Sequence, residues 1–526
     1  MTRNSALSKV CLLISVLSVC MALAGCGAGP YEFPSGTIMS ASVTGTQNPL
    51  VAAYSMETVL GCAGQVSVEF GPDTTYGRTT AWYPTAGNLQ TSTILVAGMR
   101  ASTTYHMRAL AQCPGDSTPI AGADTTFTTG PLPTLPFPTL TVTRPNPVPS
   151  SPENPGIEMI NITTASVPAF FTDRDANPIW YYDMGAGNFA VPFKLLPNGH
   201  ILLDVTDVIL REIDLAGNTI REMDIATLDQ KMQAAGFDFA PANYHHDFLP
   251  LANGHVIVLT NFTQPVSNPT GYSGVIQVLG DGLIDLDENW NPVWAWNSFD
   301  YLNPDRHLNG LPDWTHSNAL VYSPTDGDLF LSMRHQSWVL KIDYNNGTGT
   351  GDVLWHLGYQ GDFALENNSV PTDDPSLWFS FQHFPSLINQ TGSQTMFALW
   401  DNGDNRVLDS SGDLCGVAPS FVPCYSRAAV INVDDSAMVA NLSWADSLSY
   451  FGVWGGSINQ LDNGNVEFDL NAPLLSPVPN EASQVEEVTQ TSTPQVVWQM
   501  DVAPYTSTAY RAYRVPSLYP GVTWQY

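Results

Sequence analysis

Positive charge is scarce in this chain: 18 Lys and Arg face 49 Asp and Glu across 526 residues, for a formal net charge of -31. Such a surface repels nucleic acid and gains nothing from anionic lipid headgroups, so an anionic substrate must be met by a local cationic site. No Gly-rich loop resembles a nucleotide cradle, and no Cys spacing matches a zinc or haem motif. Neither a metal nor another cofactor is therefore expected. Helical periodicity is also sparse. The 40 Pro, 41 Gly and abundant Thr, Val and aromatic residues argue for many short strands and turns.

Long apolar runs are missing too, except for Val10 to Leu23, which follows Arg3 and Lys9 and is too short for a convincing membrane span. It ends in Leu23-Ala24-Gly25-Cys26, a pattern similar to a bacterial lipobox, in which the cysteine is acylated. Residues 1–26 are thus expected to be a lipoprotein-type signal, leaving the chain exported, periplasmic or at the cell surface, and anchored to a membrane through Cys26. An ordinary secretory signal is the plainer alternative. Of the seven cysteines, Cys62, Cys113, Cys415 and Cys424 remain, an even set suited to an oxidising compartment. Four cysteines allow three connectivities; Cys62–Cys113 and Cys415–Cys424 are the expected pairs.

Residues 37–130 read as a small β-sandwich of short alternating strands, such as Val66-Ser-Val-Glu-Phe70. The runs at Val68-Glu-Phe-Gly, Leu95 to Arg108 and Thr126-Phe-Thr-Thr-Gly130 resemble a fibronectin type III domain, with Tyr105 at the position of a corner tyrosine. Residues 131–155 are Pro-rich and read as a stiff linker.

From 156 to 526 a unit recurs. Gly-containing turns between apolar strands appear at Leu196-Pro-Asn-Gly199, Leu251-Ala-Asn-Gly254, Ser323 to Gly327, Asn389 to Gly392 and Leu461-Asp-Asn-Gly464, with a second hairpin following several of them. Four strands per unit at a spacing of roughly 55 to 75 residues predict a β-propeller. The segment at Asn177 to Trp180 has an outer-hairpin pattern and the one at Tyr513 to Tyr519 an inner-strand pattern. The chain ends are therefore expected to complete one blade between them. The prediction is an all-β chain whose small sandwich precedes a six-bladed propeller; five or seven blades, or two stacked sandwiches, are the alternatives.

Three units open with a histidine: Tyr244-His245-His246-Asp247, Asp313-Trp-Thr-His316-Ser-Asn318 and Phe381-Gln-His383-Phe384. Residues starting the inner strands of a propeller point to one mouth of its channel, so His246, His316 and His383 should converge, with Arg334 on an adjacent strand. His245 and His246 face opposite ways on an extended strand, so one of the two reaches the channel. Convergent imidazoles serve either as metal ligands or as nucleophile and general acid/base. A guanidinium opposes a metal ion and favours an anion, so Arg334 tips the reading toward anion chemistry. A metal-dependent propeller oxygenase and a non-enzymatic surface binding propeller remain the rivals. His200, His255, His307, His335 and His356 read as structural, and Asp401, Asp404, Asp409 and Asp413 form a candidate calcium loop.

These motifs, with Ser332-Met-Arg334-His-Gln-Ser, Asp401-Asn-Gly and Tyr513-Arg-Val-Pro, resemble the bacterial arylsulfate sulfotransferases. The resemblance implies a phenolic sulfate donor and a phenol acceptor, with His383 as a transiently sulfated nucleophile. It gives His316 and Arg334 to the sulfuryl oxygens and His246 to the bridging oxygen. His245, Trp314, Phe381 and Arg406 are candidate substrate contacts, and a homodimer is a further expectation.

Overall fold

The computed structural model describes residues 36–149, 151–417, 422–448, 451–471, 483–504 and 507–525. The expected signal segment, 1–26, and its Cys26 lie outside them. The first domain packs the sheet Thr37–Gly45, Ala52–Val59 and Gln90–Val96 against a second sheet built on Gly64–Gly71 and Thr104–Gln112. Its strands alternate as a half-buried sheet must: Ala52, Tyr54 and Met56 point inward, as do Tyr105, Met107 and Ala109. The Arg100 N–H donates to Tyr105 Oη at 2.9 Å, closing the corner. Cys62 is bonded to Cys113 and Cys415 to Cys424.

Six sheets follow among the described residues, each built on four antiparallel strands. Blade one joins Ala509–Val515 to Ile157–Ile162, Ala169–Thr172 and Pro178–Tyr182, so its innermost strand comes from the far end of the chain. Blades two, three and four are each continuous, opening at Ala190–Leu195, Asn243–Pro250 and Ser317–Tyr322. Blade five opens at His383–Thr391 and is extended at its outer edge by Ala364–Asn367, parallel to Val439–Ser447. Blade six opens at Ser457–Gln460. It gains a fifth strand from Thr139–Thr143, which pairs with Val496–Ala503, so part of the Pro-rich stretch read as a linker is sheet. The inner strands of blades two to six and Ala509–Val515 follow one another side by side, and Ala190–Leu195 meets blade one through Ile157–Ile162.

The repeated turns share one cause. Gly199, Gly254, Gly327, Gly392 and Gly464 all take positive φ, between 59° and 88°, where a side chain would be strained. The longer of the two α-helices among the described residues, Ile225–Ala235, interrupts the strands. Asp224 caps its start through the Thr227 N–H, Gly236 ends it at φ 87°, and Leu228 and Met232 seat it against blades two and three.

Beyond its last strand the chain returns to the first domain. Tyr519 Oη donates to the Leu95 carbonyl and accepts from the Ala97 N–H, both at 2.8 Å. Trp524 Nε1 donates to the Thr79 carbonyl, and its ring meets Phe70 edge-on. A Cβ on Gly98 would come within 2.3 Å of the indole, so only glycine admits it. Sandwich and propeller therefore share one buried core.

Candidate active site

The histidines are aimed by irregularities in the inner strands. Pairing slips between Tyr244 and Phe248, between Ser317 and Ala319, and between His383 and Ser386. Such bulges re-aim a side chain, and backbone strain accompanies them: His246 sits at φ 59°, His316 at φ 50° and Phe384 at φ 45°. Ties between blades hold these bends. Asp247 takes N–H bonds from Leu320 and Arg511 and an ion pair from Lys194, joining blades one to four. Asp281 accepts from Ser317 N at 2.6 Å, and Gln382 donates to Ser332, Met333 and Trp338.

The rings converge. The centroid of His246 is 4.8 Å from that of His316 and 5.5 Å from that of Tyr510, which is 6.0 Å from His383. His246 is the member of the pair that joins this group. His245 lies behind it, with Nδ1 2.8 Å from Nδ1 of His246 and Nε2 3.3 Å from Asp281. Burial opposes a charge on His245, yet Asp281 raises it above the ordinary imidazole range. His246 goes the other way: burial, then the charges of His316, His245, His383 and Arg511, hold it well below that range.

His383 is 1 % exposed. Burial first, then the Arg334 guanidinium, keep it neutral far below the usual histidine range. Its tautomer follows from Asn402, whose Nδ2 donates to the Gly452 and Gly455 carbonyls, so that its Oδ1 must accept at 2.7 Å from His383 Nδ1–H. The lone pair is then on Nε2, which the Gly455 N–H approaches only at 3.3 Å.

Arg334 lies over the Phe381 ring, 5.1 Å from its centroid. Nη2 donates to the Val453 carbonyl, Nη1 donates to His335 Nε2 at 2.7 Å, and Nε has no partner in the protein. His335, read from the sequence as structural, thus orients the arginine and stacks on His316 at 4.5 Å. Burial, with the His316 charge next, pushes His335 down to about 4.

Asp313, His316 and His335 are the one group of three potential metal ligands within reach of one another among the described residues. They already satisfy one another: His316 Nδ1 is 2.7 Å from Asp313 Oδ2, His335 Nδ1–H donates to the Asp313 carbonyl, and His335 Nε2 accepts from Arg334.

Several expected contacts sit elsewhere. Trp314 is 1 % exposed, donates to the Arg306 carbonyl and packs on Phe299, which makes it core. Arg406 is spent on Asp401 and on the carbonyls of Ser376, Trp378 and Tyr425, so it does not face the histidines. Phe381 is near the site as the platform under Arg334, not as an open wall. Asp401 is held by Arg406 and Arg427 while Asp409 caps its own turn, so the acidic loop does not converge as a calcium site. Sequence reasoning missed Tyr510, Arg511, Asn402 and His335. Tyr510 and Arg511 carry no local motif, and only the closure of blade one brings them to the channel.

The sequence model of the family described as Arylsulfotransferase (ASST) matches residues 150–514. No curated protein matches the chain. Among solved structures, dihydro-heme d1 dehydrogenase NirN in complex with DHE is similar at 10 % identity and TM-score 0.31, over 71 % of this chain and 80 % of that one. BamB from Moraxella catarrhalis is similar at 9 % identity and TM-score 0.28, over 69 % and 98 %.

Proposed function

Given that the chain belongs to the arylsulfotransferase family, and so is a sulfotransferase using a sulfate donor and a phenol acceptor, we propose that it works by a ping-pong exchange through His383. The carrying observation is the fixed tautomer of His383, a buried neutral imidazole whose Nε2 lone pair, beside a guanidinium, accepts only a 3.3 Å bond from the Gly455 N–H. Nε2 attacks sulfur, the N–S bond forms and the bond from sulfur to the aryl oxygen breaks in line. Arg334, with its uncommitted Nε–H, and His316 hold the sulfuryl oxygens as their charge changes.

The leaving phenolate takes its proton from His246 Nε2, and His246 is refilled at Nδ1 by His245. The acceptor phenol then runs the sequence backwards, giving its proton to His246 while its oxygen takes the sulfuryl group from His383. A phenolate leaves readily, so imidazole suffices as nucleophile. The lipobox-like Leu23 to Cys26 supports export with a lipid anchor, and the corner at Tyr105 supports a fibronectin type III kind of first domain.

The test is release of nitrophenol from 4-nitrophenyl sulfate by the purified protein, without added nucleotide, beside the His383→Asn variant. Release should require a second phenol and vanish in the variant. Release independent of an acceptor, or persisting without His383, refutes the exchange.

A further inference from the structure

Arg334 has a companion that the transfer chemistry does not use. Asp404 Oδ2 lies 3.9 Å from Arg334 Nη2, outside hydrogen-bond range, and is buried without any hydrogen-bond partner. The loop carrying it is firmly held: Gly403 N donates to the Ser380 carbonyl, Ser380 Oγ donates to the Asp404 carbonyl, and Cys415 Sγ sits 3.3 Å from the Gly403 carbonyl. The charged groups around Asp404 are Arg334, Asp401 and Arg406. Arg406 and Arg427 are both committed to Asp401. Arg511, the other arginine close to the histidines, is matched by Asp247. Asp404 therefore acts on Arg334 and on whatever Arg334 holds.

We propose that Asp404 selects substrates by charge, admitting the singly charged sulfuryl group of an aryl sulfate to Arg334 and turning away the doubly charged phosphoryl group of an aryl phosphate. This rests on the reading that the site holds a sulfate ester. Sulfuryl and phosphoryl groups are both tetrahedral and nearly the same size, so shape separates them poorly and charge must do it. Where water is largely excluded, as around the buried Asp404 Oδ2, a second negative charge beside a carboxylate is a strong repulsive element. Burial holds the Asp404 carboxyl up to about 7 against the pull of Arg334, and a phosphate ester loses its second proton at about pH 6. Both charges are thus present together above neutral pH, and discrimination should sharpen as pH rises.

The experiment is calorimetric binding of phenyl sulfate and of phenyl phosphate to the whole protein and to Asp404→Asn and Asp404→Glu, at pH 8 and pH 5.5. At pH 8 Asp404→Asn should bind phenyl phosphate about tenfold more tightly, the scale of one removed like-charge contact. Phenyl sulfate should change by less than about threefold. At pH 5.5 the phosphate gain should shrink, and Asp404→Glu should keep the native preference. The idea is overturned if both ligands tighten alike, if neither changes, or if Asp404→Glu behaves as Asp404→Asn. Binding is read without turnover, so a protein that discriminates by charge yet transfers no sulfuryl group would refute the catalytic reading alone.

Discussion

His245 presents Nδ1 to Nδ1 of His246 at 2.8 Å while its other nitrogen faces Asp281. One of the two facing nitrogens must carry a hydrogen, and Asp281 favours His245 as the donor. His246 is thereby left with its own hydrogen on Nε2, toward the channel. On the proposed exchange the pair is a proton store one residue deep, and it matters in proportion to how badly the leaving phenol needs a proton.

His245→Asn is accordingly expected to cost on the order of 100-fold in kcat/KM with phenyl sulfate, the usual scale of general acid catalysis. With 4-nitrophenyl sulfate, whose leaving group needs little help, the loss should stay below about tenfold. The measurement is the slope of log kcat/KM against leaving-group pKa. Parallel slopes for wild type and variant would remove His245 from the chemistry.

Asn402→Ala should leave donor binding almost intact and lower kcat, because the amide fixes which nitrogen of His383 holds the lone pair. Losing a partner that fixes a tautomer costs on the order of 100-fold or more in rate. Steady-state kinetics separates the two parameters, and a change confined to KM would show that Asn402 only shapes the pocket.

The acid limb of stability carries a signature of His383. Unfolded, its imidazole titrates near pH 6.5; folded, it stays neutral to well below that. As pH falls below about 6.5 the unfolded chain takes the proton first, so the stability held above that pH is progressively lost. Between pH 6.5 and 5 one such histidine accounts for about 2 kcal/mol. Urea unfolding of His383→Asn should therefore decline less over this interval than wild type. Curves that stay parallel would mean that His383 titrates normally in the folded protein.

Trp524→Ala removes the indole from between Phe70, Gly98 and the Thr79 carbonyl. The expected loss is about 3–5 kcal/mol for a buried tryptophan, with propeller and sandwich melting at separate temperatures in place of one transition. Calorimetry distinguishes the outcomes, and a single unshifted transition would show that the clamp contributes nothing.

What the sequence made legible was whatever recurs. Gly199, Gly254, Gly327, Gly392 and Gly464 mark the turns, and His246, His316 and His383 mark the inner strands, because each repeats at one position of the unit. The strand Thr139–Thr143 was hidden by the prolines around it, and its place on a sheet edge requires no periodic core pattern of its own. Trp314 and Arg406 misled for a different reason. Side chains within a motif are as readily used to brace a loop as to face a ligand, and both turn into carbonyl contacts. His335 and Asn402 matter through hydrogen-bond partners, which spacing does not encode.

The innermost strand of blade one, Ala509–Val515, follows every other described strand in the chain and so leaves the ribosome after them. Until it arrives, Ile157–Ile162 offers a bare row of backbone donors and acceptors, and Tyr510 and Arg511 are absent from the channel. During synthesis the molecule is thus an open arc with a reactive edge, exposed to proteases and to pairing with its own siblings. The grouping of Tyr510 and Arg511 with the histidines and the completion of blade one therefore come into being in the same event.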